Sequence, residues 1–200
     1  MNAVSAQTHV VLCSYVTILV GICEIILFFF DNSKQSDIQF LIIAFIELIG
    51  AFLVLSIWQR SRVENRVLKE VQCAIVLGGL IVFMGIFLVE DGFRLGKFST
   101  NHNANSSEHS LKIFSSFLAA VSGLILGSVK YYLGQPLNSS IVVTDGISCV
   151  CAGISCAVSF ILLLFDSALW AQQLARFTAA AFTIYCGANV IVNENTIMSR

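Results

Sequence analysis

The chain is 200 residues long, 57% hydrophobic and only 12% charged, with a formal net charge of −1 and a mean hydropathy of +0.86. Soluble domains are nearer a quarter charged, so this composition excludes an ordinary soluble domain. A balanced charge with no basic stripe also excludes nucleic acid as a partner.

Six apolar stretches fill most of the sequence, at approximately 9–30, 39–58, 71–89, 113–133, 141–165 and 174–192. A helix needs about 20 mostly apolar residues to cross the hydrocarbon core of a bilayer. The expected fold is an all-α polytopic membrane protein. One six-helix transmembrane bundle occupies 1–200, with no separate soluble domain.

The first stretch lacks the charged start, short apolar core and small-residue cleavage site of a signal peptide. It reads as a retained helix, with Glu24 about two turns from its outer end. The second stretch carries Glu47 near its middle and ends at Trp58. The connection that follows, 59–70, holds Arg60, Arg62, Arg66 and Lys69, the densest basic cluster in the chain. Basic loops stay on the cytoplasmic side, which puts both termini there and the 31–38, 94–112 and 166–173 connections outside. Arg94 and Lys97 run mildly against that orientation. The third stretch ends at Glu90 and Asp91, which read as a solvated helix end. The polar segment 100–108 cannot bury itself and should be solvated. Within it, Asn105-Ser106-Ser107 is a glycosylation sequon on the outer side. A second sequon, Asn138-Ser139-Ser140, falls inside, where it would be inert.

The fourth stretch has Ser115, Ala119, Gly123 and Gly127 at four-residue spacing. They line one helical face with small groups and let a neighbouring backbone approach. Lys130 reads as a residue of the cytoplasmic end. The fifth carries a second small and polar face: Asp145, Ser148, Cys149, Ala152, Ser155, Cys156 and Ser159. The fourth and fifth helices are therefore expected to pack against each other. Arg176, in the first turn of the sixth stretch, either snorkels to the interface or pairs with an outer-half carboxylate.

An ionised group at bilayer depth costs about 2.5–3.5 kcal/mol on insertion scales and marks a pathway or a structural contact. Glu47, Asp145 and Glu24 are thus the candidate functional groups. The seven cysteines all fall inside the apolar stretches, which implies no disulfide framework. They read as small apolar fillers, the alternative being a soft-metal role. His9, His102 and His109 occupy terminal or loop positions, and no catalytic triad, phosphate loop or HExxH motif occurs. The chain is not expected to be an enzyme.

Two segments carry a resemblance. One is Lys130-Tyr131-Tyr132-Leu133-Gly134 followed by Ser139-Ser140-Ile141-Val142-Val143-Thr144-Asp145-Gly146. The other is Leu55-Ser56-Ile57-Trp58-Gln59-Arg60 at the end of the second helix. With Asp166-Ser167-Ala168-Leu169-Trp170, they resemble the cation diffusion facilitator superfamily, and more narrowly the six-helix transmembrane protein 163 family of zinc-efflux relatives. The resemblance implies a bundle like the cation diffusion facilitator membrane domain. It also implies a homodimer, or a heterodimer with a related transporter, in the plasma membrane or an endosomal or secretory vesicle membrane. It further implies a cation site between helices two and five, with ligands four residues apart.

The chain departs from that pattern. The two family positions in helix two hold Phe45 and Ile49, with Glu47 between them. Those in helix five hold Ser148 and Ala152, on the face headed by Asp145. The acidic position after Trp170 holds Gln173. The standard four-ligand zinc site is absent. The expected metal path is therefore Glu47 and Asp145, with Ser148 and Cys149 as further donors. Zinc would be the transported ion, and no cofactor would be bound permanently. The alternative is a non-transporting membrane partner or scaffold that kept the fold and lost the site.

Overall fold

A computed structural model describes residues 3–30, 38–60, 66–98, 106–164 and 169–198. The described residues form six α-helices: α1 (Ala3–Phe30), α2 (Ile38–Arg60), α3 (Arg66–Phe98), α4 (Ser106–Leu137), α5 (Ser140–Leu164) and α6 (Leu169–Met198). Each is long and apolar enough to cross a membrane. In lipid every backbone polar group must be satisfied within the chain, and a helix does this segment by segment. The protein is a helical membrane bundle in class.

Helices α3, α4 and α6 overrun the apolar stretches. α3 begins at Arg66 and continues through Glu90 and Asp91 to Phe98. α4 begins at Ser106, and α6 spans Leu169–Met198 rather than 174–192. Hydropathy marks the lipid-facing length only. Backbone hydrogen bonding carries a helix on into the interface, where polar side chains are solvated or paired. Arg176 accordingly lies about two turns inside α6 rather than in its first turn.

α4 and α5 make the most extensive pairing, followed by α3 with α6, and then α1 with α2. The reason is steric. A Cβ built at Gly123 would lie 2.9 Å from both the Cys149 carbonyl oxygen and the Gly153 Cα, and one at Gly127 would lie 2.7 Å from the Val150 nitrogen. Gly146 and Gly153 return the contact from α5, with Cβ positions 2.7 Å from the Tyr131 and Leu124 nitrogens. Ala119 completes this buried face, and Ser115 is half-buried at its far end. Between α3 and α6, Gly78 and Gly187 face each other, a Cβ at Gly187 falling 2.7 Å from the Gly78 oxygen. Helices in lipid associate through such close packing because lipid supplies no hydrophobic drive between them. Large apolar side chains such as Leu19, Phe52, Phe83, Phe117, Ile125 and Tyr185 are exposed on the bundle surface, as lipid contact requires.

α4 passes to α5 through a tight cap. Asn138 takes a positive φ of 48°, its N–H donates to Gln135 O at 3.1 Å, and Ser139 N–H donates to Gly134 O at 3.2 Å. These two bonds form a Schellman motif, closed by an asparagine in the left-handed region. The Ser139 carbonyl then accepts the first α5 bond, from Val143 N at 3.1 Å.

That end of the bundle is tied together by polar contacts. The Ser139 hydroxyl donates to Glu70 Oε2 at 2.7 Å, Arg66 pairs with Glu70 Oε1 at 2.8 Å, and the Arg66 guanidinium lies 3.5 Å from the centre of the Trp58 ring. At the opposite end Arg176 pairs with Asp91, and Phe93 meets Phe177 with ring centres 5.0 Å apart. Asp91 is thus a partnered, half-buried group, not the solvated helix end its position suggests.

Candidate functional site

The centre of the molecule is polar. Asp145, five residues into α5, is wholly buried, and Lys130 of α4 is 1% exposed. Lys130 Nζ lies 2.7 Å from Asp145 Oδ2 and donates to Cys149 Sγ at 3.6 Å. Lys130, read from the sequence as a residue of the cytoplasmic end of its helix, is buried inside the bundle. Its side chain turns inward, because it continues the small face of α4: Gly127 is one turn before it and Gly134 one turn after. The glycines bring α5 close enough for the ammonium to reach a carboxylate on its first two turns.

Glu47 is 4% exposed at mid-height in α2. It lies within electrostatic range of Lys130 and Asp145 on one side and of Glu24 on the other. Glu24 sits nearer the far end of α1, and Cys156 is within range of both Glu24 and Glu47. At about 1.5 Å rise per residue, Glu24, Glu47 and Asp145 occupy three successive heights in the bundle. Asp145 and Cys149 thus share Lys130 as a partner, the group that neutralises Asp145, and Glu47 lies within electrostatic range of them.

The pair rests in a made niche. A Cβ at Gly50 would overlap Asp145 Oδ1 and come within 3.3 Å of its Cγ. Only a glycine on this turn of α2 admits the carboxylate between α2 and α5. Removing one member of a buried ion pair costs about 3–5 kcal/mol, since the other charge is left uncompensated.

Most buried hydroxyls here are satisfied by their own helices: Ser14 by Val10 O, Ser155 by Cys151 O and Thr183 by Ala179 O, at 2.9–3.0 Å. This back-bonding is the usual refuge of a hydroxyl in an apolar bundle. Ser116 and Ser148 depart from it. The Ser148 Oγ and Asp145 Oδ1 are both buried without a hydrogen-bond partner among the described residues. Buried polar groups are normally paired, so this spot holds unused capacity to bind.

As a metal centre the site is incomplete. Among the described residues, no three of the His, Cys, Asp and Glu side chains come together in a way that could hold a metal ion. All seven cysteines are free thiols. Gln173 contributes elsewhere, reaching the Gly92 carbonyl at 3.5 Å. Asn105 lies outside the described residues. The small faces behind the expected dimer are largely consumed within the chain, by the α4–α5 and α3–α6 contacts.

No family model matches the chain, and neither the curated proteins nor the solved structures contain a match to it.

Proposed function

We propose that this chain is a membrane transporter-like protein for divalent cations, with zinc efflux or vesicular zinc loading as its activity. The observation that carries the reading is that Glu47 of α2 and Asp145 of α5 are both buried and lie within electrostatic range of each other. Glu24 lies beyond them on one side, and Ser148 and Cys149 stand beside Asp145. Ionisable residues inside a membrane bundle mark ion paths, and transporters bind their ions between helices near the midplane. The resemblance to the transmembrane protein 163 family selects zinc and a homodimeric assembly in the plasma membrane or a vesicle membrane.

A second reading is a non-transporting partner that kept the fold. It is favoured by one observation: Lys130 already neutralises Asp145. Zinc efflux from cells expressing wild type, Glu47→Gln and Asp145→Asn at matched abundance separates the two. Transport predicts wild-type efflux above empty cells and a fall toward background in both variants. Three equal fluxes at the level of empty cells leave the partner reading in its place.

A further inference from the structure

We propose that Lys130 is a tethered cation that holds Asp145 in the unloaded protein, and that a divalent cation binds there only by displacing the Lys130 ammonium. This rests on the cation-handling reading above and adds a built-in competitor to it.

Three observations support displacement rather than shared occupancy. The ammonium already sits 2.7 Å from Oδ2, and with all three groups ionised Glu47, Asp145 and Lys130 sum to a single negative charge. A dication placed beside the ammonium would meet a like charge in a site buried from water, where such repulsion is poorly screened. Two oxygens that a cation could use, in contrast, are in place and idle. Asp145 Oδ1 and Ser148 Oγ are buried and unpartnered among the described residues, one turn apart on α5. Cys149, the next residue, accepts a hydrogen bond from the Lys130 ammonium at 3.6 Å. Moving that one side chain frees Oδ2 and Sγ together and adds them to the two idle oxygens. Lys130 is also suited to leave. Its ammonium is a point charge on a flexible four-carbon stem, without the rigid two-pronged grip that arginine has on a carboxylate.

The apparent affinity of such a site is reduced by the fraction of molecules in which the competitor is absent. If Lys130 holds Asp145 for nine-tenths of the time or more, removing it tightens cation binding by about tenfold to a hundredfold. The experiment is a zinc titration of the full chain in lipid nanodiscs, read by calorimetry, for wild type, Lys130→Met and Lys130→Met/Asp145→Asn. The expected result is tighter binding in Lys130→Met and loss of that gain in the double variant. Zinc binding by wild type with no tightening in Lys130→Met overturns the competitor while leaving the cation reading intact. No zinc binding in any of the three overturns both. If Lys130→Met folds only when zinc is present, the cation has replaced the missing ammonium, which supports the proposal. If zinc does not recover it, whether or not the double variant folds, Lys130 is a structural counter-charge and the proposal is wrong.

Discussion

The Asp145 carboxylate occupies the space that a side chain on Gly50 would fill. Gly50→Ala therefore drives a methyl group against a carboxylate whose other oxygen stands 2.7 Å from Lys130 Nζ. Overpacking of this kind costs about 1–3 kcal/mol. The expected outcome is a lower melting temperature in nanodiscs together with reduced zinc efflux. Unchanged stability and efflux would show that the carboxylate can move aside freely.

Gly127→Leu should separate α4 from α5, because the Gly127 Cβ position already falls 2.7–2.8 Å from Val150 and Gly146 backbone atoms. Neither backbone can yield without breaking its own helix. Low abundance of folded protein is expected for Gly127→Leu, and for Gly123→Leu by the same argument. Ile125→Ala, on the exposed side of α4, should stay near wild type. Wild-type abundance of both glycine variants, measured by fluorescence-detected size exclusion, counts against the packing argument.

Arg176 and Asp91 link α6 to α3 in a partly exposed setting. Their coupling should fall between that of a surface pair and that of a buried one, about 1–2 kcal/mol. A double-mutant cycle of Asp91→Asn and Arg176→Gln measures it. Additive losses would mean that each residue is held by other partners.

By the rule that basic loops stay inside, the α2–α3 connection and both termini are expected in the cytoplasm. In a cysteine-free background, Arg62→Cys and Lys69→Cys should react with an impermeant thiol reagent only after permeabilisation. Residue 105 would then lie on the opposite face, and Asn105→Gln should abolish any glycosidase-sensitive shift in mobility. Labelling of residues 62 and 69 in intact cells reverses the orientation.

The class of fold was legible because lipid imposes a simple rule: a run of about 20 apolar residues is a helix. The α4–α5 contact was legible for a related reason, since Ala119, Gly123 and Gly127 recur with the helical period. Lys130 was not recognised as internal. A lysine a few residues from a loop has the same local signature whether it snorkels to water or turns inward. Its partner Asp145 lies across the α4–α5 turn, and no local pattern reports that distance. A signal was nonetheless present: Lys130 is three residues after Gly127 and four before Gly134, on the face that meets α5. Gly50 was hidden more deeply. Its role is to be empty, and only the position of Asp145 reveals what the emptiness is for.

The short Schellman-capped turn between α4 and α5 bears on how the protein is made. Lys130 and Asp145 each carry a charge that a lone helix would take into lipid at about 2.5–3.5 kcal/mol. Only two residues separate the helices, so the charges can meet as soon as both segments have left the ribosome. The favourable course of biogenesis is entry of α4 and α5 together as a preformed hairpin, already neutral at its core. The translocon would then receive one unit of two helices, and the cost of each charge would be cancelled before either faced the bilayer alone.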